Sequence, residues 1–438
     1  AERLRQSQGR YRELLRVQEA IAEVESEIEA INGVEQYDTE LYFRMARAYM
    51  ETRRFREARV LFLYLHETAQ GEAAEEALYL AFHCSTQIKP WDRAFALGRQ
   101  YMDTYPGGSY YDTLTLAMGQ MHAMLKDWPA VIAVLTEALE KSPKHQSGAE
   151  CMFLIGYAHF MEEKFADALT WLRRMNATYP GHERQEEADY WIAMALLFDK
   201  KYEESLGAFS QFLSAYPESA YREDATYRRA VSAYGLSRYR ESERLLVAFN
   251  NAFPESKLRG EALMMLADIS GFFGESPEAV ARFKDALNYD LNIELYNYCA
   301  FRAGEIMNDL GDWPGIIAHF MAYIERNREE SNLPLAVYWI VKAKWQQGER
   351  QGALDFFQES VAKYGAERTA LGIDVLLEEW VALSRQLSED ESRKAWGRLR
   401  ELMTAAGVEG KAALALRLQR LRLYQPGLEA GDKALILN

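Results

Sequence analysis

The chain has 438 residues, 49% of them hydrophobic, and its 51 Lys and Arg against 66 Asp and Glu give a net charge of −15. That balance excludes a broad nucleic-acid-binding surface, which needs concentrated Lys and Arg to neutralise phosphate; here acidity serves mainly solubility. No stretch approaches the roughly 18 uninterrupted apolar residues of a membrane span, no signal h-region is visible, and the start at Ala1-Glu2 suits a processed or trimmed protein.

Residues 1–35 read as an N-terminal amphipathic helix with no Gly or Pro between Gly9 and Asn32. Leu14, Val17, Ile21, Val24, Ile28 and Ile31 follow a 3-4-3-4-3 spacing, an a/d seam. The seam suits a short coiled coil, and equally a first helix laid on the element that follows. After Asn32-Gly33 a helical hairpin is expected through Leu41, Ala46, Tyr49, Phe55, Ala58 and Phe62. A second spans about Ala74 to Tyr105, with one extra residue near Lys89-Pro90-Trp91.

From there a strict repeat takes over. Pro106, Pro143, Pro180, Pro217 and Pro254 recur every 37 residues. Leu135, Leu172, Phe209, Leu246, Phe283, Phe320 and Phe357 form a large apolar ladder at the same step. Trp128, Phe165, Tyr202, Tyr239 and Trp313 form an aromatic one, and Ala168, Ser205, Ser242, Ala279 and Ala353 a small one. Small and large residues at fixed offsets are what two packed helices per repeat require: the small one permits close approach and the large one fills the gap. Asp127-Trp128-Pro129 and Asp312-Trp313-Pro314 open second helices with an N-terminal acid and a Pro in the first turn. Beyond Gly365 the ladder stops, and residues 366–438 read as a helical cap, the atypical end that a solenoid needs.

These residues resemble the tetratricopeptide repeat. Within Ser147–Pro180, Gly156 lies in the first helix, His159 stands where Tyr is more usual, Phe165 marks the turn, Ala168 and Leu172 the second helix, and Pro180 the stop. The usual period is about 34; three further residues follow the proline here. The longer form, with Tyr216-Pro217-Glu218-Ser219 and Phe253-Pro254-Glu255-Ser256 closing repeats, looks like the branch found in periplasmic proteins of bacterial envelopes, of the barrel-assembly lipoprotein and Tol-Pal coordinator type. The expected fold is an all-α, right-handed superhelical solenoid of about nine helical hairpins, with the array at residues 36–365.

Enzymatic constellations are absent from the sequence. Gly407-Val408-Glu409-Gly410-Lys411 has only the tail of a phosphate loop, with Ala412 where Ser or Thr belongs. His122 and His159 stand one period apart, too few ligands for a metal site. Cys151 and Cys299 are four periods apart at an offset otherwise filled by Ala, and Cys84 has no evident mate, so three free thiols are expected. No cofactor and no metal are called for.

What the array offers is a surface. The resemblance implies that first-helix positions 2, 5, 9, 12 and 13 line an inner groove. These positions carry Phe153, Tyr157, Phe160, Tyr190, Met194, Phe198, Tyr227, Tyr234, Met264, Phe272, Tyr298 and Phe301, rings and thioethers suited to apolar anchors of a partner peptide or helix. Position 2 adds an acidic row, Glu150, Glu187, Asp224 and Glu261; acids in a first turn also stabilise the helix dipole. Where the chaperone-cofactor branch of the family has a basic clamp for a C-terminal carboxylate, this row is acidic. The expected function is a non-catalytic protein-interaction scaffold in a bacterial cell envelope or periplasm, with cytoplasm as the alternative compartment. A homo-oligomer joined through residues 14–31 is the alternative function.

Overall fold

The computed structural model describes residues 16–27, 37–326 and 332–349, with positions 352–353, 355–356, 359–360 and 363 beyond them. The helical cap expected at 366–438, the phosphate-loop tail and Phe357 lie outside the described residues. Every regular element among the described residues is a helix. The chain divides into two compact units, Ala1–Tyr216 and Pro217–Asn438, so the boundary falls inside the array that the repeat ladder spans.

In the first unit, α1 occupies residues 16–27. Five hairpins follow: α2 (Tyr37–Glu51) with α3 (Phe55–Thr68), α4 (Glu72–Thr86) with α5 (Asp92–Thr104), α6 (Tyr111–Met124) with α7 (Trp128–Lys141), α8 (Gly148–Met161) with α9 (Phe165–Thr178), and α10 (Gln185–Phe198) with α11 (Tyr202–Ala215). The second unit holds α12 (Arg222–Gly235) with α13 (Tyr239–Ala252), α14 (Arg259–Phe272) with α15 (Ser276–Ala286), and α16 (Ile293–Leu310) with α17 (Trp313–Arg326), followed by α18 (Leu333–Gln346).

The large ladder is the core of both units: Leu135, Leu172, Phe209, Leu246, Phe283 and Phe320 are all fully buried. Each lies on a second helix, and its counterpart on the first helix is a Gly or Ala at another fixed step, Gly119, Gly156, Ala193, Ala230, Ala267 and Gly304. A Cβ at Gly156 would lie 2.7 Å from Leu172 Cγ, and one at Gly304 2.4 Å from Phe320 Cζ. The large side chain thus fills the hole left by the missing one, and burial of a Leu or Phe there stabilises by about 1.5–3 kcal/mol. The small ladder has its own reason. Ser205 Oγ donates to the Ala193 carbonyl at 3.1 Å and Ser242 Oγ to that of Ala230 at 2.9 Å, so a hydroxyl is satisfied where the two helices approach closely.

First and second helices differ in how much they bury. A first helix such as α8 packs on its own partner α9, on the preceding α7 and on its neighbouring first helices. It buries Ala149, Cys151, Met152, Phe153, Ile155 and Ala158, whereas α9 buries only Ala168, Leu169, Leu172 and Met175.

The turn inside each hairpin repeats as well. Lys126, Glu163, Lys200 and Ser237 have φ of 58–59°, and Gly274, Gly311 and Gly348 continue the step at 70–87°. The next N–H reaches back five residues, as in Lys164 to the His159 carbonyl at 2.9 Å and Glu275 to that of Ser270 at 2.9 Å. This is the Schellman closure of a helix end. The acids that follow act as expected: Asp127 Oδ1 accepts from the Ala130 N–H at 3.3 Å and Asp312 Oδ1 from that of Gly315 at 3.0 Å.

Candidate functional site

The expected groove residues separate by depth. Phe153, Tyr190 and Met194 in the first unit and Tyr227 in the second are buried, which corrects their assignment to a partner-facing surface. Tyr190 packs its ring 5.8 Å from Phe212 and 6.4 Å from Phe209 of the adjoining second helix. Phe153 sits among Met152, Leu172, Met175 and Ala188. The cause is the flanking of each first helix by neighbours, which turns the shared offset of Phe153, Tyr190 and Tyr227 into the helix junction and covers Met194, one turn on from Tyr190, as well.

In the first unit the remaining residues form one connected set of rings. Tyr157 meets Trp128 edge-on at 5.7 Å and Trp191 at 4.9 Å. Trp191 lies 4.9 Å from Phe160, which lies 5.5 Å from Phe165 and 5.7 Å from Phe198. Phe165 and Phe198 stack at 5.8 Å. The set surfaces at Phe198, which is 49% exposed; Met161, one repeat step earlier at the end of α8, is exposed too. Trp191 was missed from sequence, as were the exposed Met124 and Met161. Met124, Met161, Phe198 and Phe272 share the 37-residue step at the last position of first helices, a signal that could have found them.

The second unit presents a more polar face. Tyr234 is half-buried 5.3 Å from Tyr239, whose other neighbour is Phe272 at 4.5 Å, and Phe272 is 65% exposed. Met264 and Phe301 are partly buried against the core, Phe301 lying 5.3 Å from both Phe320 and Tyr323. Tyr298 is exposed, and its hydroxyl donates to Asp268 Oδ1 at 2.7 Å. Burial pushes the Asp268 carboxyl above the usual carboxylate range, against the Tyr298 hydrogen bond and the charge of Arg302. Burial, with that carboxylate beside it, likewise raises Tyr298.

Each member of the acidic row has a partner within the chain. Glu150 lies 3.3 Å from His182 Nε2, Glu187 2.8 Å from Arg184, and Asp224 3.3 Å from Arg228. Glu261 accepts from the Tyr227 hydroxyl at 3.1 Å. The row is thus engaged in holding loops and helix starts. A further ladder beside it carries His145, His182, Ser219 and Ser256. Each accepts the N–H two residues on, at 3.0–3.1 Å. Ser256 Oγ in turn donates to Glu223 at 2.6 Å.

His145 is the most constrained of these. Its Nδ1 accepts from the Ser147 N–H, so Nε2 carries the proton and donates to Thr115 Oγ1 at 3.1 Å, whose own proton goes to the Tyr111 carbonyl at 2.8 Å. Burial holds its charged form down. The three cysteines are free and buried, and burial pushes the thiols up, to about 11 for Cys84 and about 12 for Cys151 and Cys299. Such thiols are poor nucleophiles. His122 stacks on Phe95 at 4.0 Å. Among the described residues no group of three or more His, Cys, Asp or Glu could hold a metal ion.

Residues 145–328, from the loop before α8 to the end of α17, match the family model described as YfiO, outer membrane lipoprotein. The helical hairpins of each unit have tetratricopeptide-like form, and over those residues the chain resembles this lipoprotein family. No curated protein matches the chain. Solved structures similar to the solenoid include the C-terminal part of a repeat-containing protein from Cytophaga hutchinsonii, 13% identical over 58% of this chain and 98% of that one, with a TM-score of 0.44. A tetratricopeptide repeat protein from Parabacteroides merdae is 13% identical over 60% of this chain and 96% of its own, with a TM-score of 0.37. YrrB, a repeat protein with an unusual peptide-binding site, is 11% identical over 46% and 96%, with a TM-score of 0.36. Among the described residues no helix is long and apolar enough to cross a membrane.

Proposed function

We propose that this protein is a non-catalytic scaffold of a bacterial cell envelope that holds partner proteins through the exposed faces of its first helices. The observation that carries the reading is the ring set of the first unit. The ring centroids of Phe160, Phe165 and Phe198 stand within 5.8 Å of one another, backed by Trp191 and open to solvent at Phe198, with Met161 exposed one repeat step earlier. Preorganised rings on rigid helices offer large apolar area at low entropic cost, the composition of interaction hot spots. The resemblance to an outer membrane lipoprotein family supports the envelope location, with cytoplasm as the other compartment. Partners are other protein segments, and no cofactor enters the reading.

The test is capture of partners from native envelope extract by the wild type and by the double variant Phe198→Ser, Met161→Ser, with Val247→Ser on α13 as an exposed apolar control. Loss of at least ten-fold in recovered partner by a double variant that melts normally, with none in the control, supports the reading. Equal recovery by all three overturns it.

A second reading rests on α1. Its described residues are exposed throughout, including Val17, Ile21 and Val24 of the a/d seam. An isolated helix of that length is marginal in water, so a second copy would cover the stripe. Sedimentation of the wild type and of Ile21→Asp decides: concentration-dependent mass lost in the variant supports an oligomer, and a monomer at all concentrations removes it.

A further inference from the structure

Asp268 of α14 is a half-buried carboxylate whose only hydrogen bond among the described residues comes from Tyr298 of α16. Desolvating a charge is costly unless a partner cation compensates. Among the described residues no cation forms an ion pair with it: the charge of Arg302 acts on it, but Arg302 is held by Glu305 at 2.6 Å. The ladder also changes character here: Tyr157, Met194 and Val231 occupy the same offset in the three preceding first helices, and acids replace them at Asp268 and Glu305.

Aromatic residues accompany the carboxylate on its own and the neighbouring helices. Burial, and after it the Asp268 charge, raises the Tyr234 phenol of α12. Tyr298 donates to it from α16, and Phe272 stands one turn on along α14, itself exposed and packed at 4.5 Å on Tyr239. A half-buried carboxylate bonded to one phenol, with further aromatic residues on the adjoining helices, is an arrangement that attracts a side-chain cation, through charge and through the ring quadrupoles together.

We propose that Asp268, with Tyr234, Phe272 and Tyr298, forms a subsite for a basic side chain, arginine before lysine, of the protein segment that the scaffold holds. Arginine is favoured because its planar guanidinium stacks on rings while its N–H fork reaches the free carboxylate oxygen. This rests on the reading of the protein as a segment-binding scaffold and specifies one anchor of that segment.

The experiment uses the full chain and an array of 15-residue peptides tiled from envelope proteins of the native host. Every Arg-containing peptide is also made with citrulline, which keeps the planar shape but is neutral and has a carbonyl acceptor in place of one NH2 donor. Wild type is expected to bind a subset of the Arg peptides at least ten-fold more tightly than their citrulline forms. Asp268→Asn, which keeps the acceptor for Tyr298, is expected to bind both forms alike. Tyr298→Phe, which keeps the charge, retains the preference. Asp268→Ser repeats the Asn test should that variant melt early. Binding of Arg and citrulline forms with equal strength by wild type, or an Arg preference that survives in Asp268→Asn, overturns the subsite and leaves the scaffold reading standing. Absence of binding to every peptide overturns both.

Discussion

The first helices of the two units share a register but present different chemistry. On α8 and α10 the rings of Tyr157, Trp191, Phe160 and Phe198 touch in series. On α12, α14 and α16 the corresponding face carries Arg228 paired to Asp224, Asp268 bonded to Tyr298, and Arg302 paired to Glu305. The buried ladder beneath is the same in both. One packing scheme therefore supports an apolar face in one unit and a charged face in the other, because the core uses only the large and small offsets and leaves the remaining first-helix positions free to vary.

The depth difference between neighbouring aromatic positions gives the largest effect. Tyr190→Ala or Tyr227→Ala is expected to destabilise its own unit by about 3–5 kcal/mol, as for other buried aromatics, whereas Phe198→Ala costs about 1 kcal/mol or less. Denaturant melts read with hydrogen exchange in each unit check this. Similar costs for Tyr190 and Phe198 would remove the distinction between junction and surface on which the site rests.

A smaller effect separates the loop caps, His145 in the first unit from Ser219 and Ser256 in the second. His145 is held neutral in the folded chain, below the ordinary imidazole value, so the unfolded chain takes up the proton first. Stability contributed by the neutral ring is present above about pH 6.5 and is lost as pH falls from there, by at most about 1.4 kcal/mol per pH unit while the ring stays neutral in the fold. The protection factor of the Ser147 N–H, that is, exchange corrected for its intrinsic slowing at lower pH, should fall between pH 7 and 5.5, with less change at Leu258. His145→Ser should flatten the pH dependence of the first unit's melting. An unchanged slope in that variant would show that the cap does not couple to folding.

The smallest effect lies in the hairpin turns, where Lys200 has φ of 59° and the second unit places Gly274 at 76°. Lys200→Gly relieves a left-handed conformation at some cost in chain entropy, for a net gain of about 0.5 kcal/mol in a thermal melt. A loss of stability would mean that the lysine side chain contributes more than its backbone costs.

How much of this could be read beforehand depended on whether a residue belongs to the periodic packing. Leu172 and Ala168 were legible because each repeat must solve the same close approach. The acid at 127 was legible because helix starts demand it. Tyr190 and Tyr227 were misplaced because periodicity gives the side of a helix that a residue occupies, while its depth depends on how far the flanking helices cover that side. The turn ladder was hidden by Lys126, Glu163, Lys200 and Ser237, residues that do not advertise a left-handed conformation as Gly does. Asp268 was overlooked for the opposite reason, being the point where an apolar series of Tyr157, Met194 and Val231 gives way to acids, a change that was visible in the sequence.

The burial of all three thiols has a practical consequence for spectroscopy. A maleimide dye or spin label added to the folded wild type finds Cys84, Cys151 and Cys299 shielded and protonated at neutral pH. One cysteine introduced at a solvent-facing turn, Lys200 for one unit or Ser237 for the other, becomes the reactive handle without removal of the native three. Label mobility on each face, with and without a bound segment, is then read in an otherwise unaltered chain.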